Sequence, residues 1–160
     1  MKPRVYIETT IPSYLVSIPS RDIIVAGHQQ TTRLWWDVRK DNFDVFISQF
    51  LIDEVSGGDP EQAEKRLKVI AAFPQLEITD DVLRLTEALL LRKIIPQKAA
   101  TDAAHIAVAA VHGMDYLMTW NCTHIANAII FNVVNQVCLE QGFTFPIICT
   151  PEELLEEGLI

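Results

Sequence analysis

Val5-Tyr6-Ile7-Glu8-Thr9-Thr10 decides how the rest of the chain is read: three strand-forming apolar residues run directly into a carboxylate and then two hydroxyls. β-Branched and aromatic residues suit a pleated, buried strand. A carboxylate beside such a run is costly unless it is paired, solvated or bound to a cation. The same hand-over recurs where Phe50-Leu51-Ile52 meets Asp53-Glu54, and where Thr101-Asp102 opens the apolar helix Ala103–Val111. A further strand, Tyr116-Leu117-Met118, ends in Thr119-Trp120-Asn121. If these four ends converge, they build a cluster of oxygen ligands, the chemistry of a Mg²⁺ or Mn²⁺ site.

Working outward from Val5–Glu8 as the first strand, Pro12 punctuates a turn, and residues Gly27–Lys40 read as a helix with Leu34, Trp35 and Val38 at helical spacing. Phe43–Ser48 alternates as a strand with Val45 and Ile47 on one face. A short helix Gln49–Val55 stops at Gly57-Gly58. Asp59-Pro60 then opens a helix to about Phe73, Asp as N-cap and Pro at the first helical position. Leu76–Thr79 reads as a brief strand, and Thr79 or Asp80 caps a helix Val82–Ile94 closed by Pro96. A helix Asp102–His112, a strand Tyr116–Thr119, a helix Ile125–Gln141, a strand Pro146–Cys149 and a short Pro151-led helix complete the chain. Strands separated by helices imply crossover units and a mainly parallel sheet. In such a sheet ligands sit beyond the carboxyl ends of the strands, where strand order reverses.

The chain has 160 residues, 49% hydrophobic and 21% charged, which is enough for one ordinary folded domain over 1–160. No repeat, low-complexity run or Gly/Ser linker divides it. Its apolar stretches are far short of a membrane span, and Met-Lys-Pro-Arg followed by a strand is not a signal peptide, so the cytoplasm is the expected location. Cys122, Cys138 and Cys149 form no C-x-x-C pair, which argues for reduced, packed thiols rather than staples or a thiolate zinc site. A net charge of −8 excludes a generic nucleic-acid coat. It does not exclude an RNA-acting enzyme, in which divalent ions neutralise an acidic cleft and Arg33, Arg39, Lys40, Arg92, Lys93 and Lys98 supply a local basic rim.

Taken in order and spacing, Val5–Thr10, the Ser48–Glu54 segment, Thr101-Asp102-Ala103-Ala104-His105-Ile106-Ala107 and Met118–Asn121 resemble a PIN domain, and within that family the VapC-like toxins of bacterial toxin–antitoxin pairs. The resemblance runs from near residue 4 to about residue 151. It implies an α/β three-layer sandwich with a mainly parallel central sheet, and metal-dependent hydrolysis of RNA. It also implies Mg²⁺ or Mn²⁺ as cofactor, an antitoxin that covers the cleft, and a homodimer. Carried over position by position, the family's acids match Glu8, Glu54 and Asp102, and its fourth position matches Asn121. Asp53 is then a bystander. Two departures stand out: Glu8 where the family usually has Asp, and a neutral Asn121 where Asp is common. A PIN-like binding module that has lost catalysis is therefore the alternative reading. A phosphatase-like or receiver-like acidic pocket is weaker, because no D-x-D follows the first strand.

Each site residue also has a plainer role open to it. Glu8 can be a solvated strand-end charge and Glu54 an exposed helix charge. Asp102 or Thr101 can be a helix N-cap, and Asn121 can cap the next helix as readily as it can touch a metal. Thr9 and Thr119 are candidate substrate contacts or ordinary turn and strand-end hydroxyls. His105 and His124 each lie three residues past a matched position, where either can assist proton transfer or simply pack. Trp35-Trp36 can stack on bases, although the spacing places at least one in the core, and Trp120 is the better wall for a cleft. Clustered carboxylates without metal should repel one another, raising at least one pKa, and metal should then stabilise the fold.

Overall fold

Five short strands, β1 (Arg4–Ile7), β2 (Asp44–Ser48), β3 (Gln75–Leu76), β4 (Tyr116–Met118) and β5 (Ile147–Cys149), lie in the order β3-β2-β1-β4-β5, every neighbouring pair parallel. The structure is a computed structural model and describes residues 1–156; the last four residues of the expected domain lie outside the described residues. Around the sheet run α1 (Thr10–Val16), α2 (Ile23–Val38), α3 (Gln49–Val55), α4 (Pro60–Ile70), α5 (Asp80–Leu91), α6 (Ala100–Val111) and α7 (Phe131–Glu140).

Parallel strands need cover on both faces, and the alternation within β1 and β4 supplies two apolar surfaces. Val5 and Ile7, with Val45, Ile47 and Met118, pack against Ile11 of α1, Trp35 of α2, Leu51 and Val55 of α3, and Ile70 of α4. Tyr6 and Leu117 point the other way, into Val82, Leu85 and Leu89 of α5, Ile106 of α6, and Val134 and Val137 of α7. Each large side chain buried in this way contributes about 1.5–3 kcal/mol. The result is the expected three-layer α/β sandwich. Nearly all of α6 is buried, from Ala103 to Ala110, and its alanines let it lie close against its neighbours.

From β1 the chain steps outward through β2 to β3, then returns to place β4 on the opposite side of β1. Strand order therefore reverses between β1 and β4. Ile7 is level with Met118, so Glu8 and Thr119 leave the sheet side by side, and the Glu8 amide donates to the Met118 carbonyl at 3.1 Å.

Several expectations change. Pro12 lies inside α1, not in a turn; it is the third helical residue, where no intrahelical N–H bond is lost. The second helix starts at Ile23 instead of Gly27, because the Asp22 carboxylate caps the amides of Ile24 and Val25. Its buried face is Gln29, Thr32 and Trp35, while Leu34 and Val38 are exposed. The helix expected over Ile125–Gln141 begins only at Phe131. Ahead of it, Asn127 closes a local turn, its side-chain amide donating to the Thr123 carbonyl and its oxygen accepting the Ile129 amide. Asp59 and Thr79 cap α4 and α5, and Pro60 takes the first position of α4.

Candidate active site

Glu8 is only 3% exposed. Its Oε1 accepts three hydrogen bonds: from the Thr10 amide (2.8 Å), the Thr10 hydroxyl (2.5 Å) and the Thr119 hydroxyl (2.9 Å). Burial pushes its pKa up, opposed by the charge of His105 and by these donors. One carboxyl pKa does rise, as expected; the cause is desolvation, not repulsion between carboxylates.

Glu54 lies in the last turn of α3 with its side chain 35% exposed. Its Oε1 accepts from the Thr9 hydroxyl at 2.7 Å and lies 2.5 Å from His105 Nε2. Partial burial pushes this carboxyl up, but the His105 hydrogen bond and charge and the Thr9 hydroxyl outweigh it and hold its pKa below the ordinary value. The two glutamates are thus pushed in opposite directions by their surroundings.

Behind Glu54, His105 is fully buried on α6. Its Nδ1 is 2.6 Å from the Tyr6 hydroxyl, which is 2.7 Å from Ser48 Oγ. Ser48 occupies the N-cap position of α3, yet its side chain caps nothing there. Burial raises the Tyr6 pKa, which keeps the phenol protonated. Sequence reasoning gave His105 a choice between packing and proton transfer and missed this chain. The available signal was its place as the one polar residue within a buried apolar run, since buried polar groups need partners.

Asp102 is the third residue of α6, whose first turn begins at Ala100, so it is not the N-cap. Its Oδ2 lies 2.9 Å from His124 Nδ1. Asn121 Oδ1 accepts the amides of Thr123 (3.2 Å) and His124 (3.1 Å), and the Asn121 amide donates to the Thr119 hydroxyl at 2.9 Å. Of the two roles open to Asn121, the structure displays capping, of a turn and not of α7. His124 meets Asp102 through that turn, not along a helical face.

Hydrogen bonds and the chain itself together connect the four matched residues: Glu54 bonds to Thr9, the residue next to Glu8; Glu8 bonds to Thr119, which accepts the Asn121 amide; and Asn121 accepts the amide of His124, whose ring meets Asp102. The three candidate substrate contacts, Thr9, Thr119 and His124, each bond to one of the three acids. Trp120 is no open wall: it is 8% exposed, its ring stacks on His28 at 3.9 Å, and its Nε1 donates to Thr32. Nor do all the basic residues form a rim. Arg33 donates to the carbonyls of Leu15 and Ser17, and Arg92 pairs with Glu140.

Glu8, Glu54 and Asp102 each direct one oxygen at protein donors, while Glu8 Oε2, Glu54 Oε2 and Asp102 Oδ1 receive none from the described residues. Three anionic hard-oxygen donors fit Mg²⁺ or Mn²⁺ in chemistry. Among the described residues, however, no group of three or more His, Cys, Asp or Glu is arranged to hold a metal ion. Threonines and histidines hold the acids instead.

A wholly parallel sheet between two helical layers, with acids at the switch point between β1 and β4, is the PIN-like arrangement expected from the sequence. Among solved structures, a chain of the VapBC2 complex from Rickettsia felis, crystallised bound to a DNA fragment from their promoter, is similar over 92% of this chain and 98% of its own. The TM-score is 0.59 and the identity 15%, so the likeness is one of fold. No protein-family model and no curated protein matches the sequence.

Proposed function

We propose that this chain is a single PIN-like domain acting as a metal-dependent endoribonuclease, a hydrolase of RNA phosphodiester bonds, and that it is the toxin of a toxin–antitoxin pair. The observation that carries this reading is the joining of Glu8, Glu54, Asp102 and Asn121 at the sheet's switch point, with one undonated oxygen on each acid. In this reading Glu8, Glu54 and Asp102 hold Mg²⁺ or Mn²⁺, and Asn121 assists when its oxygen leaves the turn. The ion, when bound, supplies a water of lowered pKa and stabilises charge on the phosphoryl oxygens. The protein's own part is orientation. Thr10 and Thr119 fix Glu8, Thr9 and His105 fix Glu54, and His124 fixes Asp102.

The partners in this reading are RNA, an antitoxin protein and a second copy of the chain. The exposed Ile18, Ile23 and Ile24, apolar residues at and just ahead of the start of α2, support a protein partner. No helix among the described residues is long and apolar enough to cross a membrane, which is compatible with an enzyme of the cytoplasm.

RNA cleavage in Mn²⁺ tests the reading. Asp102→Asn should lose more activity than the roughly 10–100-fold that losing an outer partner costs; cleavage indifferent to the change rejects the assignment. The rival, a binding module without catalysis, draws on the commitment of Asn121 Oδ1 to two backbone amides. It predicts no heat of Mn²⁺ binding and no rise in melting temperature at millimolar metal.

A further inference from the structure

Ser48, Tyr6, His105 and Glu54 form an unbroken line of polar atoms through the helical layer. It starts at the N-terminus of α3, crosses β1 and α6, and returns to the last turn of α3. Tyr6, Ser48 and His105 are all fully buried. Burying three polar side chains is costly unless each finds a partner, and here each does. A phenylalanine in the space of His105 would fill it without that cost.

The direction of the line follows from its ends. An ionised Glu54 carboxylate can only accept, so His105 Nε2 must carry a hydrogen. That holds whether the ring is neutral or charged. The Tyr6 hydroxyl can donate to a bare Nδ1 or accept from a protonated one, and Ser48 completes its valence in either case. The ring is thus anchored at Nδ1 and aimed at Glu54 Oε1 in both states. With Thr9 on the same oxygen, Oε2 is the one left without a protein donor among the described residues.

We infer that His105 is a positioning residue: anchored by Tyr6 and Ser48, it fixes the Glu54 carboxylate so that Oε2 faces a divalent cation, without itself touching ion or RNA. This rests on the metal-dependent nuclease reading above. Carboxylate ligands held by such outer hydrogen bonds typically lose 10–100-fold in metal affinity when the outer partner is removed.

The test uses the whole chain, with Mn²⁺ as the probe in calorimetric titration and single-stranded RNA as substrate. Circular dichroism confirms that each variant is folded. His105→Phe, which keeps the bulk and removes the donor, should weaken Mn²⁺ binding by about tenfold or more and lower kcat with little change in KM. His105→Gln, which can present an amide N–H to Glu54, should recover most of that affinity. A mere packing role predicts the reverse order, with His105→Phe near wild type and His105→Gln impaired, and that result overturns the inference. Should His105→Phe not fold, Tyr6→Phe decides: weakened Mn²⁺ binding supports the inference and wild-type binding overturns it. Wild-type protein that takes up no Mn²⁺ overturns the nuclease reading and this inference together. Normal Mn²⁺ binding by wild type and by folded His105→Phe overturns this inference alone.

Discussion

The candidate site has two halves built on different terms. On the inner side, Glu8 is buried and bonded to the buried Thr119, and Glu54, although its side chain is 35% exposed, is backed by the fully buried His105. On the outer side, Asp102 and His124 have side chains 18% and 24% exposed, and the turn after Asn121 holds them through backbone amides. A buried group stripped of its partner costs about 1–3 kcal/mol, whereas a contact between two partly exposed side chains contributes roughly 0–1 kcal/mol. The buried anchors of the inner half, Thr119 and the Ser48-Tyr6-His105 line, are therefore set by folding itself. The outer half can exchange its partners for water, RNA or an ion at little cost, which is where adjustment on binding belongs.

The sharpest contrast between the halves should appear in stability. Tyr6→Phe leaves Ser48 Oγ and His105 Nδ1 short of a buried partner, and urea unfolding should show a loss of about 1–3 kcal/mol. Asn121→Ala removes an acceptor from two turn amides and should cost less, about 1 kcal/mol, as for other caps. Equal losses would remove the distinction between the halves.

A smaller effect has the opposite sign. Because burial raises the Glu8 pKa above its ordinary 4.5, the folded state binds more protons than the unfolded one in the window above 4.5. Glu8 therefore destabilises the metal-free fold progressively as pH rises through that window. Glu8→Gln should raise the metal-free melting temperature at pH 7, with the gain shrinking toward pH 4.5, and should weaken Mn²⁺ binding at the same time. A gain that does not depend on pH would show that the charge of Glu8 is not its source.

The smallest perturbation is chemical labelling. Cys122 is exposed beside Asn121, whereas Cys138 and Cys149 are buried with thiols pushed up to about 12. An alkylating agent at pH 8 should modify Cys122 rapidly and the other two only on unfolding. Rapid labelling of Cys149, which packs beside β4, would mean that the sheet edge near the site opens.

The same division governs what could be read from sequence. Elements whose pattern and punctuation agree were legible: Gln49–Val55 matches α3 residue for residue, and Asp59-Pro60 opens α4 as expected. The three acid-bearing ends were legible because an apolar run meeting a carboxylate is a local signal. Failures came where side chains compete with the backbone or where tertiary contacts decide. Asn127 diverts the chain from helix before Phe131, and Asp22 caps a helix whose exposed Ile23 and Ile24 give no periodic hint of its start. The link from His105 to Glu54 joins residues far apart in the chain, so spacing from Asp102 could suggest a shared face but not the partner. The opposite direction of the two glutamate shifts was equally hidden, because it depends on how deeply each is buried and on the distant partners, His105 above all, that offset that burial.

The central claim is that the undonated oxygens of Glu8, Glu54 and Asp102 serve one divalent ion. A crystal of the whole chain soaked in Mn²⁺, with anomalous scattering collected at the manganese edge, tests it directly. The account predicts a peak in contact with Glu8 Oε2, Glu54 Oε2 and Asp102 Oδ1 at about 2.0–2.3 Å, the range of hard cations on carboxylate oxygen. A peak elsewhere, or none with all three carboxylates still bonded only to their threonines and histidines, would contradict it.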